Sequence, residues 1–556
     1  MHRASYLFLL LTLSACDGPS GSDAGRSDTA GLDTAGLDAP VIPIDAPRSD
    51  AGPPPPPITG CTAPVDLADL SAADHVVGDG TPGSCTEAAL RTAVMAGGTV
   101  RLNCGAAPHT ITLTSALAPS SDVTLDGGGT VTLSGGGTTR HFTIDTGNFE
   151  SRSPHLWLQR LTLIDGHVTA RTGDAVLEGG GGSIWYRGGR VTVIECTFSD
   201  NVAAVEGPDV AGGAIYGIGL GETTVVRSTF ENNAAANGGA IGALGSGISI
   251  TESIFRGNRA TGFGANYVEG GVQMGQGGNG GAISMDGRGR DLTICGGTFS
   301  GNESGAFGGA IFRTGYESET NDIHLSVFDG NSARDRSGAE ADLPSGAGAL
   351  YLQGLNVRIT RTSIVRNAAR SAASLWVVDH GPEAPALLHL ENVTIALNRT
   401  YERADFTMRG VAAGLNIGGN TTGDVVNCTI TGNEGQFGSG IWNVSPLTVR
   451  NTLIANVAEN QYTPLNCSGS MYRTPPATGS HVVQWPTGLT VADDMDCIVG
   501  VVRVDPRMSA LDETGDLPVM RPTATGLPSG TDCPAIDALG APRDTATCSI
   551  GAVELP

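Results

Sequence analysis

The fold is decided by Thr223-Thr-Val-Val-Arg-Ser-Thr-Phe-Glu-Asn-Asn233, then Gly238-Gly-Ala-Ile241, then Gly247-Ile-Ser-Ile-Thr-Glu-Ser-Ile-Phe-Arg-Gly-Asn258. Apolar and β-branched residues alternate with polar ones over four to eight positions, which is the pattern of a half-buried strand. Gly and Asn close each run, supplying positive φ and side-chain-to-backbone bonds at turns. The unit then recurs. Phe-x-x-Asn stands at Phe198/Asn201, Phe230/Asn233, Phe255/Asn258, Phe299/Asn302 and Phe328/Asn331, and relaxes to Ile364/Asn367, Ile395/Asn398, Ile430/Asn433 and Leu453/Asn456. The Gly-Gly-Ala-Ile tetrad recurs at 212–215, 280–283 and 308–311, with looser copies at Gly348-Ala349-Leu350 and Gly438–Ile441. Steps between successive asparagines run from 456 − 433 = 23 to 302 − 258 = 44 residues. Such a period marks a repeat architecture.

Variable repeat length with fixed landmarks suits a right-handed parallel β-helix, an all-β solenoid whose turns bulge while its strands stay stacked. Phe, Ile and Leu at equivalent positions would form an internal apolar stack that one coil could not bury alone. Asn three residues on would sit at a bend and bond the next coil, as amide ladders do in stacked sheets. Gly-Gly-Ala would make a tight corner. These landmarks are read as architecture rather than as ligand contacts.

Alternating GGA(I/L/V) and FxxN motifs resemble those of the chlamydial polymorphic outer membrane proteins, which implies a β-helical passenger with a role in adhesion. The ends are similar to bacterial surface proteins with a choice-of-anchor Q domain. The matching segments are Cys85-Thr-Glu-Ala-Ala-Leu-Arg-Thr-Ala-Val94, Gly97–Cys104, Ile111-Thr-Leu, Val123–Gly129, Cys533-Pro-Ala-Ile-Asp-Ala538 and Ile550-Gly-Ala-Val-Glu554. The resemblance covers residues 75 to 556. Unlike the polymorphic proteins, the chain shows no β-barrel translocator before Pro556, so autotransport is not expected.

His2 and Arg3 followed by the apolar run Tyr6–Thr12 read as an export signal, and Leu13-Ser14-Ala15-Cys16 has the form of a lipobox. Residues 1–16 are thus read as a lipoprotein signal peptide with Cys16 as the lipidated residue, carrying fatty acids such as palmitate. The membrane partner is reached through that anchor, and the compartment is the cell envelope, at the outer membrane or cell surface. Residues 17–60, with Thr29-Ala-Gly-Leu-Asp33 repeated at 34–38 and a proline run at 53–57, read as an extended, disordered tether. Residues 61–110 are expected to be an N-terminal cap whose short helix, Thr86 to Ala96, shields the open end of the coils. Residues 111–456 are the repeats, and 457–556, richer in Pro and Cys, a disulfide-containing C-terminal cap.

Of 11 cysteines, ten remain after Cys16, an even number in an exported chain. The expected local pairs are Cys85 with Cys104, Cys467 with Cys497, and Cys533 with Cys548. Cys61, Cys196, Cys295 and Cys428 stay unassigned, the last three being alternatively buried stack residues. No zinc spacing or EF-hand occurs, so no metal and no cofactor are expected. A net charge of −24 opposes nucleic acid as a partner. The chain has no Lys, which excludes a lysine-dependent mechanism.

Catalysis on a β-helix needs two or three carboxylates on neighbouring coils. Asp200, Glu231 and Asp329 fall singly at turns, and Asp493-Asp494 reads as a solvated turn. The best local cluster is Asp379-His380 with His389 and Glu391, so the candidate catalytic residues are Asp379, His380 and Glu391. Insertions at 259–279 and 333–347 are the other candidate surfaces. An aromatic sugar platform of Tyr267, Trp185, Tyr186 or Trp376 is weighed against loop packing onto the rod, which 5% aromatic content favours. The resulting expectation is an envelope-anchored binding or adhesion module for glycans or a partner protein. The alternatives are a polysaccharide lyase or glycoside hydrolase, for which convergent carboxylates on adjacent coils would argue, and a structural envelope protein. Enzymatic activity is left open, with absence favoured.

Overall fold

The alternating segments become strands of three long sheets wound as a right-handed parallel β-helix. A computed structural model describes residues 58–171, 173–317, 319–334, 343–354, 356–381, 385–401, 410–435, 438–456, 466–468, 477–486 and 495–555. The segments read as signal peptide and tether, with Cys16, lie outside these residues up to position 57. One coil shows the route: Gly247–Thr251 in sheet A, Ile254–Arg256 in sheet B, Arg259–Ala260 in the small sheet D, Ile283–Asp286 in sheet C, then Leu292–Cys295 back in sheet A. Among the described residues sheets A and B each hold 14 strands, sheet C 11 and sheet D six. Neighbouring coils pair in parallel and in constant register, for example Phe230↔Phe255↔Phe299↔Phe328.

That register stacks like on like. The rings of Phe198, Phe230, Phe255, Phe299 and Phe328 lie 4.8–4.9 Å apart, within 9° of parallel. Beside them a ladder runs from Asn201 through Asn233, Asn258, Asn302, Asn331, Asn367, Asn398, Asn433 and Asn456 to Asn466. Each Nδ2 donates to the next Oδ1 at 2.9–3.1 Å. From Asn201 to Asn433 the same Nδ2 also reaches a carbonyl one coil back, such as Phe255 O from Asn302. The corner glycines are steric necessities: a Cβ on Gly309 would stand 1.9 Å from the Gly348 carbonyl. A second ladder was not read from the sequence. At the corner between sheets A and B, Cys196 N donates to Ser228 Oγ, Ser228 N to Ser253 Oγ, and Ser326 N to Thr362 Oγ1.

The helix forms over Glu87–Ala96, with Thr86 Oγ1 accepting from Ala89 N and Leu90, Ala93 and Val94 buried. Disulfides join Cys85 to Cys104, Cys467 to Cys497 and Cys533 to Cys548, the three local pairs expected from spacing. A fourth joins Cys61 to Cys295, a pairing that the sequence left open. Cys196 and Cys428 are free and buried in the apolar stack, whereas Cys295 is not part of it.

Two segments lie along the coils. Residues 58–74 form a strap running back towards the first coil. Ile58 packs with Leu325, Val327 and Val519, Gly60 N and Cys61 N donate to Glu252 Oε1 at 3.0 and 3.1 Å, Ala68 exchanges two bonds with the Gln159 amide, and Asp74 grips Thr99. The chain end is the second. Ser363 Oγ donates to Pro518 O, Ala552 N to Thr429 Oγ1, and the Nδ2 groups of Asn392, Asn427 and Asn451 to Ile536 O, Ser549 O and Thr531 O. The last part of the expected C-terminal cap is therefore laid beside sheet B. The disulfide between Cys533 and Cys548 belongs to this segment, and Asn427 Nδ2 lies 3.3 Å from Cys548 Sγ. Asn392, Asn427 and Asn451 adopt positive φ at consecutive corners, which turns their amides towards the chain end that covers them.

Candidate functional site

Sheet A turns alternate side chains outward, and on four successive coils the residue at one outward position is Asp, Arg or His. Thr320–His324, Asn356–Thr360, Ala386–Glu391 and Thr421–Val426 pair so that Asp322, Arg358, His389 and Asp424 form one row. His324, Thr360 and Glu391 form the next. At a strand spacing of about 4.8 Å the first row extends roughly 14 Å along the rod.

His389 is the centre. Its Nδ1 lies 3.0 Å from Asp424 Oδ1 and its Nε2 3.6 Å from Glu391 Oε2. The hydrogen bond to Asp424, with help from Glu391, holds the imidazole protonated and pushes its pKa up to about 9. Hydrogen bonding to His389 in turn holds Glu391 below the ordinary carboxylate range. Arg358 Nη1 approaches Asp322 Oδ1 at 3.5 Å and its side chain is 51% exposed. His324 Nδ1 bonds Thr360 Oγ1 at 2.7 Å, and burial lowers its pKa.

The folded-state pKa of His389 exceeds the ordinary value near 6.5, so the stabilisation from this cluster is full below about pH 6.5. It is lost as pH rises through about 9. NMR titration of the His389 ring should give an inflection near 9, and Asp424→Asn should move it down by a unit or more. An inflection near 6.5 in the wild type would refute the clamp.

Chemically this is a row of charged, partly exposed donors and acceptors. A glycosidase pair needs one carboxyl held protonated beside an ionised one. Here both carboxylates are engaged with an imidazolium, and Glu391 is shifted the other way. The arrangement suits charge-assisted hydrogen bonding to a ligand.

The structure separates the sequence candidates. Glu391 joins His389, but Asp379 and His380 follow the sheet C strand Leu375–Val378, at the opposite end of strand Ala386–Glu391. The His380 ring lies 4.5 Å from that of Tyr316, whose hydroxyl bonds the carboxyl of Asp286, a group raised in pKa by burial. His380 and Tyr316 are two coils apart, and Gly354 between them makes the approach possible: a Cβ there would stand 2.8 Å from His380 Cβ. The cysteines singled out from the sequence, Cys85, Cys104, Cys467, Cys497, Cys533 and Cys548, are all buried in disulfides, and none belongs to the charged row. Asp322, Arg358 and Asp424 were missed, although a signal existed. Each lies nine residues before its ladder asparagine: 331 − 322, 367 − 358 and 433 − 424, as does His389 from Asn398.

The acids read as lying singly at turns have partners: Glu231 pairs with Arg256, and Asp329 with Arg366. Trp185 and Tyr186 form no platform. Trp185 is buried with Nε1 donating to Leu177 O, and Tyr186 points inward to Thr223 Oγ1. Trp376 packs against Phe307 and Tyr351. Tyr267 precedes a small hairpin, Val268–Glu269 with Val272–Gln273, in the first insertion. Most of the second insertion and Asp493-Asp494 lie outside the described residues. A shallow cavity lined by Ala118, Thr143, Asp145 and Pro154 shares no residue with either cluster. Among the described residues no group of three or more His, Cys, Asp or Glu is placed to hold a metal ion, and no helix is long and apolar enough to cross a membrane.

Residues 195–218 match the Chlamydia polymorphic membrane protein repeat. No curated protein matches the chain. The solved structure of the A-module of mannuronan C-5 epimerase from Azotobacter vinelandii is similar at a TM-score of 0.24 and 13% identity, over 74% of this chain and 94% of that one.

Proposed function

We propose that this β-helix is an envelope-anchored binding module that engages glycans through the outward face of sheet A. The observation that carries the reading is the row Asp322–Arg358–His389–Asp424, four coils deep and partly exposed. Its charged donors and acceptors recur at strand spacing, which suits an extended, hydroxyl-rich polymer lying along the rod. The matched repeat supports a surface setting, and the disulfides suit an oxidising compartment. Cys16 as lipidated residue and residues 17–60 as tether, whose last three residues lie in the strap, complete the reading from the sequence.

The test uses residues 55–556, one compact unit, on a panel of acidic and neutral polysaccharides with and without Ca²⁺. Retention is expected, with unchanged polymer length, and Arg358→Ala with His389→Ala should weaken it by tenfold or more, about 1.4 kcal/mol. Shortened chains would instead favour a lyase or hydrolase, the second reading, which rests on Asp424 and Glu391 converging on His389. Absence of both effects would leave a protein partner or a structural envelope role.

A further inference from the structure

The N-terminal strap joins the rod far from its end. A disulfide links Cys61 to Cys295, across 234 positions of sequence, in strand Leu292–Cys295. That strand lies inside sheet A, hydrogen-bonded on one side to Gly247–Thr251 and on the other to Thr320–His324. Glu252 on the preceding coil takes both Gly60 N and Cys61 N, and Ile58 is buried in a cluster that includes Leu517, Val519, Ala538 and Val553 from the chain end. Strand Thr320–His324, next to the disulfide, carries Asp322, the first residue of the charged row.

From this connectivity we infer that the protein is built to carry tension between its N-terminal residues and a ligand held on sheet A. The inference rests on the sheet A face being the ligand face. In a solenoid each coil is held only by its neighbours, so a load applied at an end peels coils one after another. Load arriving through residue 58 instead crosses the disulfide into a strand paired on both edges, where several ladder bonds must shear together. Residues 62–294, which include the capping helix and the first coils, are closed off by the covalent loop and stay out of the load path. The path to the charged row is then one strand step long, with Glu252 and the Ile58 cluster bracing the entry point.

The experiment is single-molecule force spectroscopy on the full chain held by its N-terminus and by a handle coupled to the outward face of sheet A at position 358, comparing wild type with the Cys61→Ser/Cys295→Ser variant. Oxidised wild type should reach its final length without residues 62–294, about 730 Å short of the variant, in which Cys85–Cys104 still closes off residues 86–103. Its first rupture should need a higher force than the variant, whose first coils should release in steps. Wild type reduced after folding must reproduce the trace of the variant reduced in the same way, since reduction also opens Cys85–Cys104, Cys467–Cys497 and Cys533–Cys548; this separates the latch from any folding defect of the variant. Equal first-rupture force in oxidised wild type and the oxidised variant would overturn the inference, as would release of residues 62–294 from oxidised wild type. Glycan retention without load is read in parallel. Its loss in wild type would count against the ligand face alone, because the rupture comparison needs no ligand.

Discussion

Asn302→Ala is expected to lower the stability of the rod by about 3–6 kcal/mol, read as a fall in the thermal or urea midpoint. Asn302 is fully buried, and its side chain makes four bonds. Its Nδ2 donates to Phe255 O at 3.0 Å and to Asn331 Oδ1 at 2.9 Å, and its Oδ1 accepts from Asn258 N and Asn258 Nδ2, both at 3.0 Å. Alanine removes all four and gives nothing back. The Phe255 carbonyl and two Asn258 donors lose a partner where water has no access, and each buried group so stranded costs about 1–3 kcal/mol. The coil cannot slide to compensate, because its strands are fixed in register on both sides. A loss under about 1 kcal/mol would mean that water enters the ladder and that the amides are not its main support.

The second large effect is at the aromatic stack. Phe255→Ala should cost about 3–5 kcal/mol from lost burial and the cavity left behind. It also removes two stacked contacts, to Phe230 at 4.9 Å and Phe299 at 4.8 Å. Aromatic pairs contribute about 0.5–1.5 kcal/mol each beyond their area. Phe255→Leu, which keeps most of the volume, should cost less than half as much. Hydrogen exchange should quicken first in Thr229–Glu231 and Thr298–Ser300, the strands above and below. Uniform quickening along the whole rod would contradict a stability summed from neighbouring coils. Equal losses for Ala and Leu would place the effect in ring stacking rather than in volume.

The landmarks were legible because they are local. Phe and Asn sit three residues apart on one strand and its bend, so a single coil displays both. The capping helix has its own N-cap. The disulfides of Cys533 with Cys548, Cys85 with Cys104 and Cys467 with Cys497 close separations of 15, 19 and 30 residues. The charged row was not legible by proximity, since Asp322, Arg358, His389 and Asp424 are 36, 31 and 35 residues apart. Reading Asp379, His380 and Glu391 as neighbours followed chain order, whereas a whole sheet A strand separates His380 from Glu391.

By itself the sequence determined the solenoid, the inward Phe and Asn positions, the helix at one end and the local disulfides. These depend on alternation, turn chemistry and short loops, all properties of residues close along the chain. Only the tertiary structure decided that Cys61 meets Cys295, that residues 511–555 lie beside sheet B, and that His389 sits between Asp424 and Glu391. Those contacts close loops of tens to hundreds of residues. Closure cost grows only slowly with length, so nothing in the local sequence selects one distant partner over another. For the charged row the selection is made by register, which turns a fixed offset from each ladder asparagine into a row on one face of the rod.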